Sequence, residues 1–393
     1  MLASVEIGSH VEQVKKWNPA QSNLDTSFTY IDLSSVDKER KKIDLSLTQV
    51  VSCFKAPSRA RQLVKASDIL VATVRPNLNG VAQVPFQLND ATASTGYCVL
   101  RANNKSLNSK YLFYWVQTKS FIGDMMSKST GANYPAVSDK LIKQGKIPLP
   151  PLAEQQKIAA ILDAADVLRQ KDQQLIDHYT TLSQSLFLDM FGDPVTNPMG
   201  WDFFPLSEFV TKLGDGLHGT PAYNENGDYY FINGNNLHNG KIQFNSTTKK
   251  VSRLEFNKHK KTLNKSTMLV SINGTIGKVA FYNNEKIVLG KSACYFNIKE
   301  TLISKMSLFH LVESPYFIRY ASGMATGSTI KNVSLKTMRE FPIPLPPITL
   351  QNQFADRIAL IEKQKQQAQA SLEQSNNLFN SLLQKAFTGE LTA

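Results

Sequence analysis

The amino-acid sequence predicts a mixed α/β (α+β) fold with two globular domains in tandem, each followed by a long helix. Three observations support this fold class. The chain repeats itself once, each globular part alternates strand-like runs with turn residues, and each copy ends in a segment with an apolar heptad seam.

The internal repeat has a long period. Ile147–Pro151 (IPLPP) recurs as Ile343–Pro347, 196 residues later, and the same offset pairs Cys98 with Cys294. Two such copies account for nearly all of the 393 residues. The matching residues keep their spacing in the two copies, whereas many of the residues between them differ. This pattern indicates one scaffold that carries two different surfaces.

The globular parts combine strands with short helices. Ile69–Val74 and Met268–Ile272 are apolar, β-branched runs typical of buried strands. Lys110–Met126 has the apolar spacing of one continuous helix. The second copy is expected to interrupt its equivalent helix at Ser314-Pro315, because proline is favoured at a first helical position.

Paired prolines mark the start of each long helix, at 150–151 and at 346–347, since proline is tolerated in the first turn of a helix. Apolar residues at a and d spacing then predict a coiled coil. The predicted seam contains Ile158, Ile161, Ala165, Leu168, Leu175, Tyr179, Leu182 and Leu186 in the first helix, and Phe354, Ile358, Ile361, Ala368, Leu372, Phe379 and Leu382 in the second. Asp172, Lys365 and Ser375 interrupt it.

The chain therefore divides into five predicted segments. They are a first globular domain at 1–147, a central helix at 148–191, a linker at 192–204, a second globular domain at 205–343 and a C-terminal helix at 344–393.

Composition indicates an anionic partner. The net charge is +12, and the excess positive charge lies in segments 1–150 and 205–343, whereas the helical segments contribute none. Two basic heads joined by a neutral-to-acidic spacer are the layout of a bipartite nucleic-acid reader. An accidental basic surface is the alternative.

The sequence places the protein in the cytoplasm. No transmembrane span or signal peptide is visible, and the three widely spaced cysteines do not suggest a disulfide framework. Cys98 and Cys294 are interpreted as small core residues.

No catalytic or cofactor motif is found. Gly274–Lys278 lacks the spacing of a phosphate-binding loop, and no histidine has a partner at metal-ligand spacing. Neither Asn-Pro pair is followed by proline and an aromatic residue, so the loop typical of adenine methyltransferases is absent. We therefore expect a chain without an active site, cofactor or metal of its own.

Loops after the predicted strands carry the candidate nucleic-acid contacts. Such loops can place arginine against guanine, asparagine against adenine and lysine on phosphate. The candidates are Arg75, Asn77, Asn79, Lys128, Ser129, Thr130, Asn133 and Tyr134 in the first copy, and Asn233, Asn235, Asn236, Asn273, Thr275, Lys278, Ser328, Thr329, Lys331 and Asn332 in the second. The alternatives are an ordinary hairpin turn, a turn that shapes the next strand and, at 233–236, a turn cap.

The architecture resembles the DNA specificity subunit of Type I restriction–modification complexes. The resemblance rests on the Pro-Leu-Pro-Pro-x-x-x-Gln start of each helix, on Phe191–Pro194, on Gly200-Trp201-Asp202 and on the tail Leu382–Leu391. It covers nearly the whole chain.

This resemblance implies two target-recognition domains that each read half of a split double-stranded DNA sequence. It implies helices that pair as an antiparallel coiled coil, act as a ruler and dock two adenine methyltransferase (modification) subunits. Translocase–endonuclease (restriction) subunits would join that core, and S-adenosylmethionine, ATP and Mg would be bound by the partners.

Three other functions stay open at this point. One is the specificity subunit of a related Type II-like bipartite methyltransferase–nuclease. Another is a coiled-coil scaffold that never contacts DNA. The third, a self-sufficient methyltransferase or nuclease, is disfavoured by the missing motifs.

Overall fold

The computed structural model describes residues 4–22, 25–131, 133–327 and 331–391. These residues form two compact units. Unit 1 comprises Met1–Gln174 with Ala368–Ala393, and unit 2 comprises Leu175–Gln367. Each unit thus contains one globular part and a segment of each long helix.

Unit 1 contains twelve strands among its described residues. They are β1 Ser4–Glu6, β2 Val11–Glu12, β3 Ser27–Ile31, β4 Val36–Asp37, β5 Lys42–Ile43, β6 Gln49–Ser52, β7 Ala60–Leu63, β8 Ile69–Ala72, β9 Val81–Gln83, β10 Thr92–Ser94, β11 Tyr97–Ala102 and β12 Lys146–Pro148. The helices are α1 Ser109–Trp115, α2 Lys119–Ser127, α3 Asp139–Lys143 and the start of α4 Leu152–Phe191.

Unit 2 repeats this order with one substitution. Its strands are β13 Phe203–Pro205, β14 Val210–Asp215, β15 Tyr229–Ile232, β16 Leu237–His238, β17 Lys241–Ile242, β18 Lys250–Val251, β19 Thr267–Ser271, β20 Val279–Phe281, β21 Ile287–Leu289, β22 Ala293–Ile298 and β23 Pro342–Pro344. Its helices are α5 Arg253–His259, α6 Lys305–Glu313, α7 Pro315–Met324, α8 Leu335–Arg339 and the start of α9 Ile348–Thr388.

The sheets of the two units have the same topology. In unit 1 they run β6-β3-β10-β7 and β2-β11-β8-β9, and in unit 2 they run β18-β15-β21 and β14-β22-β19-β20. The pairs β3·β10 and β15·β21 are parallel at equivalent places. Unit 1 has the edge strand β7 after β6, whereas unit 2 has the helix α5 after β18. The repeat predicted from the sequence is therefore confirmed for the other strands of the sheets and does not hold at this sheet edge.

The predicted buried strands are confirmed as β8 and β19. Cys98 and Cys294 face the two cores and are fully buried, which confirms their interpretation as core residues. Burial raises the pKa of both thiols above its ordinary value, so the sulfur atoms stay protonated and apolar.

The prediction of one helix over Lys110–Met126 is wrong, because the chain breaks between α1 and α2. The Thr118 hydroxyl donates to the Trp115 carbonyl and accepts from the Phe121 amide, at 2.8 and 3.2 Å. This side chain both ends one helix and caps the next. In unit 2 the break at Ser314-Pro315 is confirmed.

The two long helices begin where the prolines predict, and the segments within each unit pair antiparallel. In unit 1, Asp172 accepts from Ser371 and Ser375 at 3.0 and 2.8 Å, and the Arg169 guanidinium lies 4.1 Å from the Phe379 ring centroid. In unit 2, Phe191 packs on Phe354 with ring centroids 5.0 Å apart. The coiled-coil prediction is confirmed.

The predicted seam of the first helix is confirmed at Ile158 and Ala165 and is wrong at every second position, where the buried side is one residue further along the helix. Ile161, Leu168, Leu175 and Leu182 are between 38% and 49% exposed, whereas Ile158, Leu162, Ala165, Ser183 and Phe187 are buried. Asp172 does not interrupt the seam but lies in it, since two serine hydroxyls satisfy its carboxylate. Polar residues therefore occupy buried positions of the seam, and a search for apolar residues at heptad spacing does not predict these positions.

A buried glutamine fixes each globular part to its long helix. Gln155 accepts from the Asn108 amide and donates to the carbonyls of Ser106 and Pro150, at 2.8 to 2.9 Å. Gln351 accepts from the Ser304 amide and donates to the Pro346 carbonyl, at 2.8 and 2.7 Å. The last residue of the repeated helix-start motif is thus a structural anchor.

Replacing this glutamine is expected to destabilise its unit. Gln155→Leu leaves one partly buried amide and two carbonyls without their partners, so we expect a loss of about 3 kcal/mol of unfolding free energy, at about 1 kcal/mol for each of the three groups. Urea unfolding followed by fluorescence measures it. Gln156→Leu, at the exposed neighbouring position, is the matched control; equal unfolding midpoints for the two variants would contradict the anchor.

Candidate nucleic-acid interface

Two loops that are far apart in the sequence meet in unit 1. The loop after β8 and the loop before α3 are joined by hydrogen bonds from the Val137 amide to the Thr73 carbonyl, at 2.8 Å, and from the Arg75 amide to the Pro135 carbonyl, at 2.6 Å. The candidate residues of 75–79 and 128–134 therefore belong to one surface, which we call the unit-1 rim.

Arg75 and Tyr134 form the centre of the unit-1 rim. The Arg75 guanidinium lies 4.6 Å from the centroid of the Tyr134 ring, and Tyr134 is 69% exposed. They line a concavity of about 320 Å³ together with Lys38, Val74 and Leu78. Arg75 has a backbone φ of 50°, in the left-handed region that non-glycine residues rarely adopt. The fold thus holds an exposed cation and an aromatic face in a fixed arrangement.

Some of the other candidates in unit 1 are exposed, and others form hydrogen bonds within the fold. Asn77 and Asn133 are exposed. Asn79 also has a left-handed φ, of 45°, and its carbonyl accepts from Lys41. Its amide nitrogen lies 3.4 Å from the Gln117 carbonyl. Its contacts therefore favour the turn interpretation.

Residues 128–130 form contacts within the fold at the end of α2. Lys128 pairs with Asp124 at 2.7 Å, and the Ser129 hydroxyl donates to the Met126 carbonyl at 2.8 Å. The backbone of Thr130 pairs with that of Ala136. These contacts shape the loop that presents Asn133 and Tyr134.

Unit 2 builds its rim in the same way with different side chains. The Val333 amide donates to the Ile272 carbonyl at 2.8 Å, and the Gly274 amide donates to the Lys331 carbonyl at 3.1 Å. Gly274 has a φ of 75° and takes the place of Arg75. The two rims thus share a backbone conformation, and unit 2 uses the residue for which that conformation carries no strain.

Amide groups replace the arginine–tyrosine pair in the unit-2 rim. Asn273 donates to the side-chain oxygen of Asn332 at 3.3 Å. Thr275 and Lys331 are exposed beside them. The remaining candidates of this loop, Ser328 and Thr329, lie outside the described residues.

Lys278 is held away from the edge of the rim. Its ammonium group lies 3.2 Å from Nε2 of His238 and is partly buried, and its backbone amide donates to the Ser271 hydroxyl. These contacts fix the strand β20 after the loop.

The amide cluster at 233–236 contains a cap. The Asn236 side chain accepts from the Asn233 amide and donates to the Gln243 carbonyl, both at 3.0 Å, while Asn233 accepts from Ser292. Asp32 and Ser35 make the same capping box in unit 1. Asn233 and Asn236 thus have the contacts of the turn-cap alternative, and Asn235 is the exposed member of the cluster.

Two basic residues beside the rims were not among the candidates. In unit 1 the Thr95 amide donates to the Arg59 carbonyl at 2.8 Å, and the Thr73 amide donates to the Gly96 carbonyl. In unit 2 the equivalent segment carries Lys291, whose amide donates to the Leu217 carbonyl at 2.9 Å. Arg59 and Lys291 are exposed. The cluster Ser58–Arg61 (SRAR) is the sequence signal that could have indicated Arg59.

The described residues contain no cluster of His, Cys, Asp and Glu suited to hold a metal ion. Across the described ranges, none of the helices has the length and hydropathy needed to cross a membrane. The chemistry that the rims offer is hydrogen bonding, positive charge and aromatic stacking.

Comparison with known proteins gives one consistent result. A family model described as the Type I restriction modification DNA specificity domain matches residues 59–177 and 198–374. The MjaVIII specificity subunit of Methanocaldococcus jannaschii is 24% identical, over 98% of this chain and 92% of its own. The EcoKI specificity subunit of Escherichia coli K12 is also 24% identical, over 88% and 79%.

Two solved structures share the fold. One is the S subunit of a Type I restriction–modification system from M. genitalium, with a TM-score of 0.55, 14% identity and coverage of 98% of this chain and 96% of that one. The other was solved in a study of complex assembly and conformational transition of the type I R-M system, with a TM-score of 0.53, 24% identity and coverage of 99% and 98%.

Truncation to alanine is expected to lower stability more at Asn236, which caps the turn, than at the exposed Asn235. Asn236→Ala removes two hydrogen bonds at the turn, and we expect a loss of about 1–2 kcal/mol of stability, as for other caps. Asn235→Ala, at the adjacent exposed position, should stay within about 0.5 kcal/mol. Thermal unfolding measures both, and an equal loss in the two variants would rule out the cap as the structural element.

Proposed function

The chain belongs to the Type I restriction modification DNA specificity family, as the specificity subunit of such a system, and from this premise we propose that each rim reads one half of a split DNA sequence. The unit-1 rim reads one half and the unit-2 rim the other. The long helices set the spacer between the halves.

The observation that supports this assignment most directly is the repeated meeting of the same two loops. Both units join the loop after the central strand to the loop before the short helix through equivalent backbone hydrogen bonds. The side chains that these loops present differ, with Arg75 and Tyr134 in unit 1 and Asn273 and Asn332 in unit 2. A common backbone with different hydrogen-bonding groups suits recognition of two different base sequences.

Arg75 is suited to guanine, because a guanidinium can donate two hydrogen bonds to its major-groove edge. Stacking on Tyr134 orients the guanidinium before DNA binds, which lowers the entropy lost on binding. The exposed amides of Asn77 and Asn133 suit adenine. Arg59 in unit 1 and Lys291 in unit 2 flank the rims and suit phosphate.

The amide pair of the unit-2 rim suits adenine. An asparagine side chain can donate to N7 and accept from the exocyclic amine of adenine, or reverse its amide to suit another edge. Asn273 and Asn332 satisfy each other in the free protein. Binding would exchange that bond for bonds to bases, with Lys331 on the adjacent phosphate.

Partner subunits supply the remaining chemistry in this proposal. Two adenine methyltransferase subunits dock on the chain and bind S-adenosylmethionine, and translocase–endonuclease subunits bind ATP and Mg. Ile161 and Leu168 are exposed seven residues apart on α4 in unit 1, as are Leu175 and Leu182 in unit 2, and we assign each apolar pair to contact with a methyltransferase subunit. The complex acts on double-stranded DNA in the cytoplasm.

Removing the Arg75 side chain is expected to affect one half-site. Arg75→Ala should weaken binding of the methyltransferase complex to its specific duplex about 5- to 150-fold, corresponding to the 1–3 kcal/mol of one bidentate base contact. Non-specific binding should change little. Electrophoretic mobility shift at fixed salt measures both affinities.

Lys119→Ala, which removes an exposed positive charge at the start of α2, is the matched control and should leave the specificity ratio unchanged. An Arg75→Ala variant that loses specific and non-specific affinity equally would show that Arg75 contacts phosphate and reads no base.

Shortening the helices is expected to change the spacer alone. Deleting 175–181 from α4 and 364–370 from α9 removes one heptad from each and keeps the faces of the remaining helix in phase. Each helix shortens by about 10 Å at 1.5 Å per residue, so we expect the methylated sequence to lose about three base pairs of spacer at 3.4 Å per step. Methylome sequencing identifies the motif. Unchanged spacing with intact half-sites would contradict the ruler.

A further inference from the structure

Unit 2 contains a cleft that DNA reading does not use. Its volume is about 540 Å³, and its lining comes from α4, α6, α7, α9 and the turn between β16 and β17. Phe187, Phe281 and Phe309 form its apolar surface, and His310 and Glu313 contribute its polar groups. This volume is in the range of small-molecule sites.

The turn that lines the cleft is shorter than its counterpart in unit 1. In unit 1 the hairpin β4–β5 turns through residues 38–41, whereas in unit 2 the hairpin β16–β17 turns through Asn239-Gly240. The residue before the second strand is Lys41 in unit 1 and Gly240 in unit 2. Both have a left-handed φ, of 53° and 74°.

In unit 1 a lysine side chain occupies the equivalent place. Nζ of Lys41 donates to the Asn79 carbonyl at 2.7 Å, and burial together with Arg169 lowers the pKa of Lys41 to about 8. Lys42 reaches Gln170 on α4. In unit 2 a Cβ on Gly240 would stand 3.5 Å from the rings of Phe281 and Phe309. The missing side chain leaves the partly exposed Phe281 facing the cleft, where the Lys305 ammonium lies 4.6 Å from its ring centroid, whereas Phe309 is 9% exposed.

The cleft contains a buried nitrogen without a partner. Nε2 of His310 is buried and makes no hydrogen bond within the described part of the chain. Burial lowers the pKa of His310 to about 4, so the imidazole is neutral at pH 7 and one ring nitrogen can accept. At the equivalent position of unit 1, the Tyr114 hydroxyl donates to Asp163, which Ala359 replaces in unit 2.

One turn of helix further on, Glu313 places a carboxyl group on the same face of α6, and burial raises the pKa of that group to about 7. Among the described residues no cation lies within ion-pair distance of Glu313; Lys365 is near enough to oppose the rise in its pKa and forms an ion pair with Glu362, at 3.8 Å. Lys241 and Arg319 line the exposed edge of the cleft. Unit 1 has the neutral Gln117 at the position of Glu313, and its amide donates to the Phe113 carbonyl.

We propose that the unit-2 cleft binds a primary aliphatic amine, with its ammonium group on the Glu313 carboxylate, beside the imidazole of His310. Its alkyl chain would lie on the exposed part of Phe281, as a lysine stem covers apolar surface.

The probe for this site is 1,5-diaminopentane, titrated calorimetrically into the full-length chain at pH 7.5. We expect saturable binding to a single site and no binding of 1,5-pentanediol, which has the same length and no charge. Absence of saturable binding of the diamine, or equal binding of the diol, would overturn the proposal.

Two variants locate the site. Glu313→Gln, which installs the residue of unit 1, and Gly240→Lys, which restores the lysine of unit 1, should each weaken diamine binding about tenfold or more, since a charge-assisted hydrogen bond is worth about 1.5–3 kcal/mol. Thermal unfolding verifies that each variant is folded.

Matched controls separate the cleft from general surface charge. Glu340→Gln removes an exposed carboxylate outside the cleft, and Gly200→Lys adds a lysine at another left-handed glycine, with φ 69° and no atom within 4 Å of its added Cβ. Both should bind the diamine as the parent chain does. Equal weakening in the controls and the cleft variants would show a diffuse electrostatic association and refute the site.

Discussion

The fixed attachment of each globular part to its long helix is the constraint on which the other features depend. Gln155 and Gln351 are buried in the first turn of their helices, and their amides satisfy backbone groups of the globular part and of the proline segment that precedes the helix. Unpaired, those groups would cost more than the hydrogen bonds contribute in water. The loops of each rim are thus held on a rigid base, which a sequence reader requires because a base contact tolerates little displacement.

Duplication allows the same position to serve different purposes in the two units. A left-handed residue begins each rim loop, as a strained, exposed arginine in unit 1 and a glycine in unit 2. A capping box supports each sheet, built from Asp32 and Ser35 or from Asn233 and Asn236. A lysine fills a space in unit 1 that a shorter turn leaves open in unit 2. The backbone changes little because its hydrogen bonds are shared, whereas exposed side chains change freely.

Part of the candidate site could be predicted from the sequence. The turn residues indicated the loops that form the rims, and the exposed Arg75, Asn77, Asn133, Asn235, Thr275 and Lys331 are available for the contacts predicted for them. Asn79, Lys128, Ser129, Asn233, Asn236 and Lys278 make contacts within the fold. Composition cannot separate these groups, because the same amide or ammonium either satisfies a backbone group or faces solvent according to its neighbours in space.

The sequence alone determined the internal repeat, the central strands, the start of both long helices and the family resemblance. Each of these depends either on residues close together in the chain or on the recurrence of residues at a fixed offset. The tertiary structure decided which loops meet, that the seam of the first helix includes Leu162, Asp172 and Ser183, and that α1 and α2 are separate helices. These features depend on which partner satisfies a polar group, and on which side of a helix is covered. Both are set by contacts between residues distant in the chain.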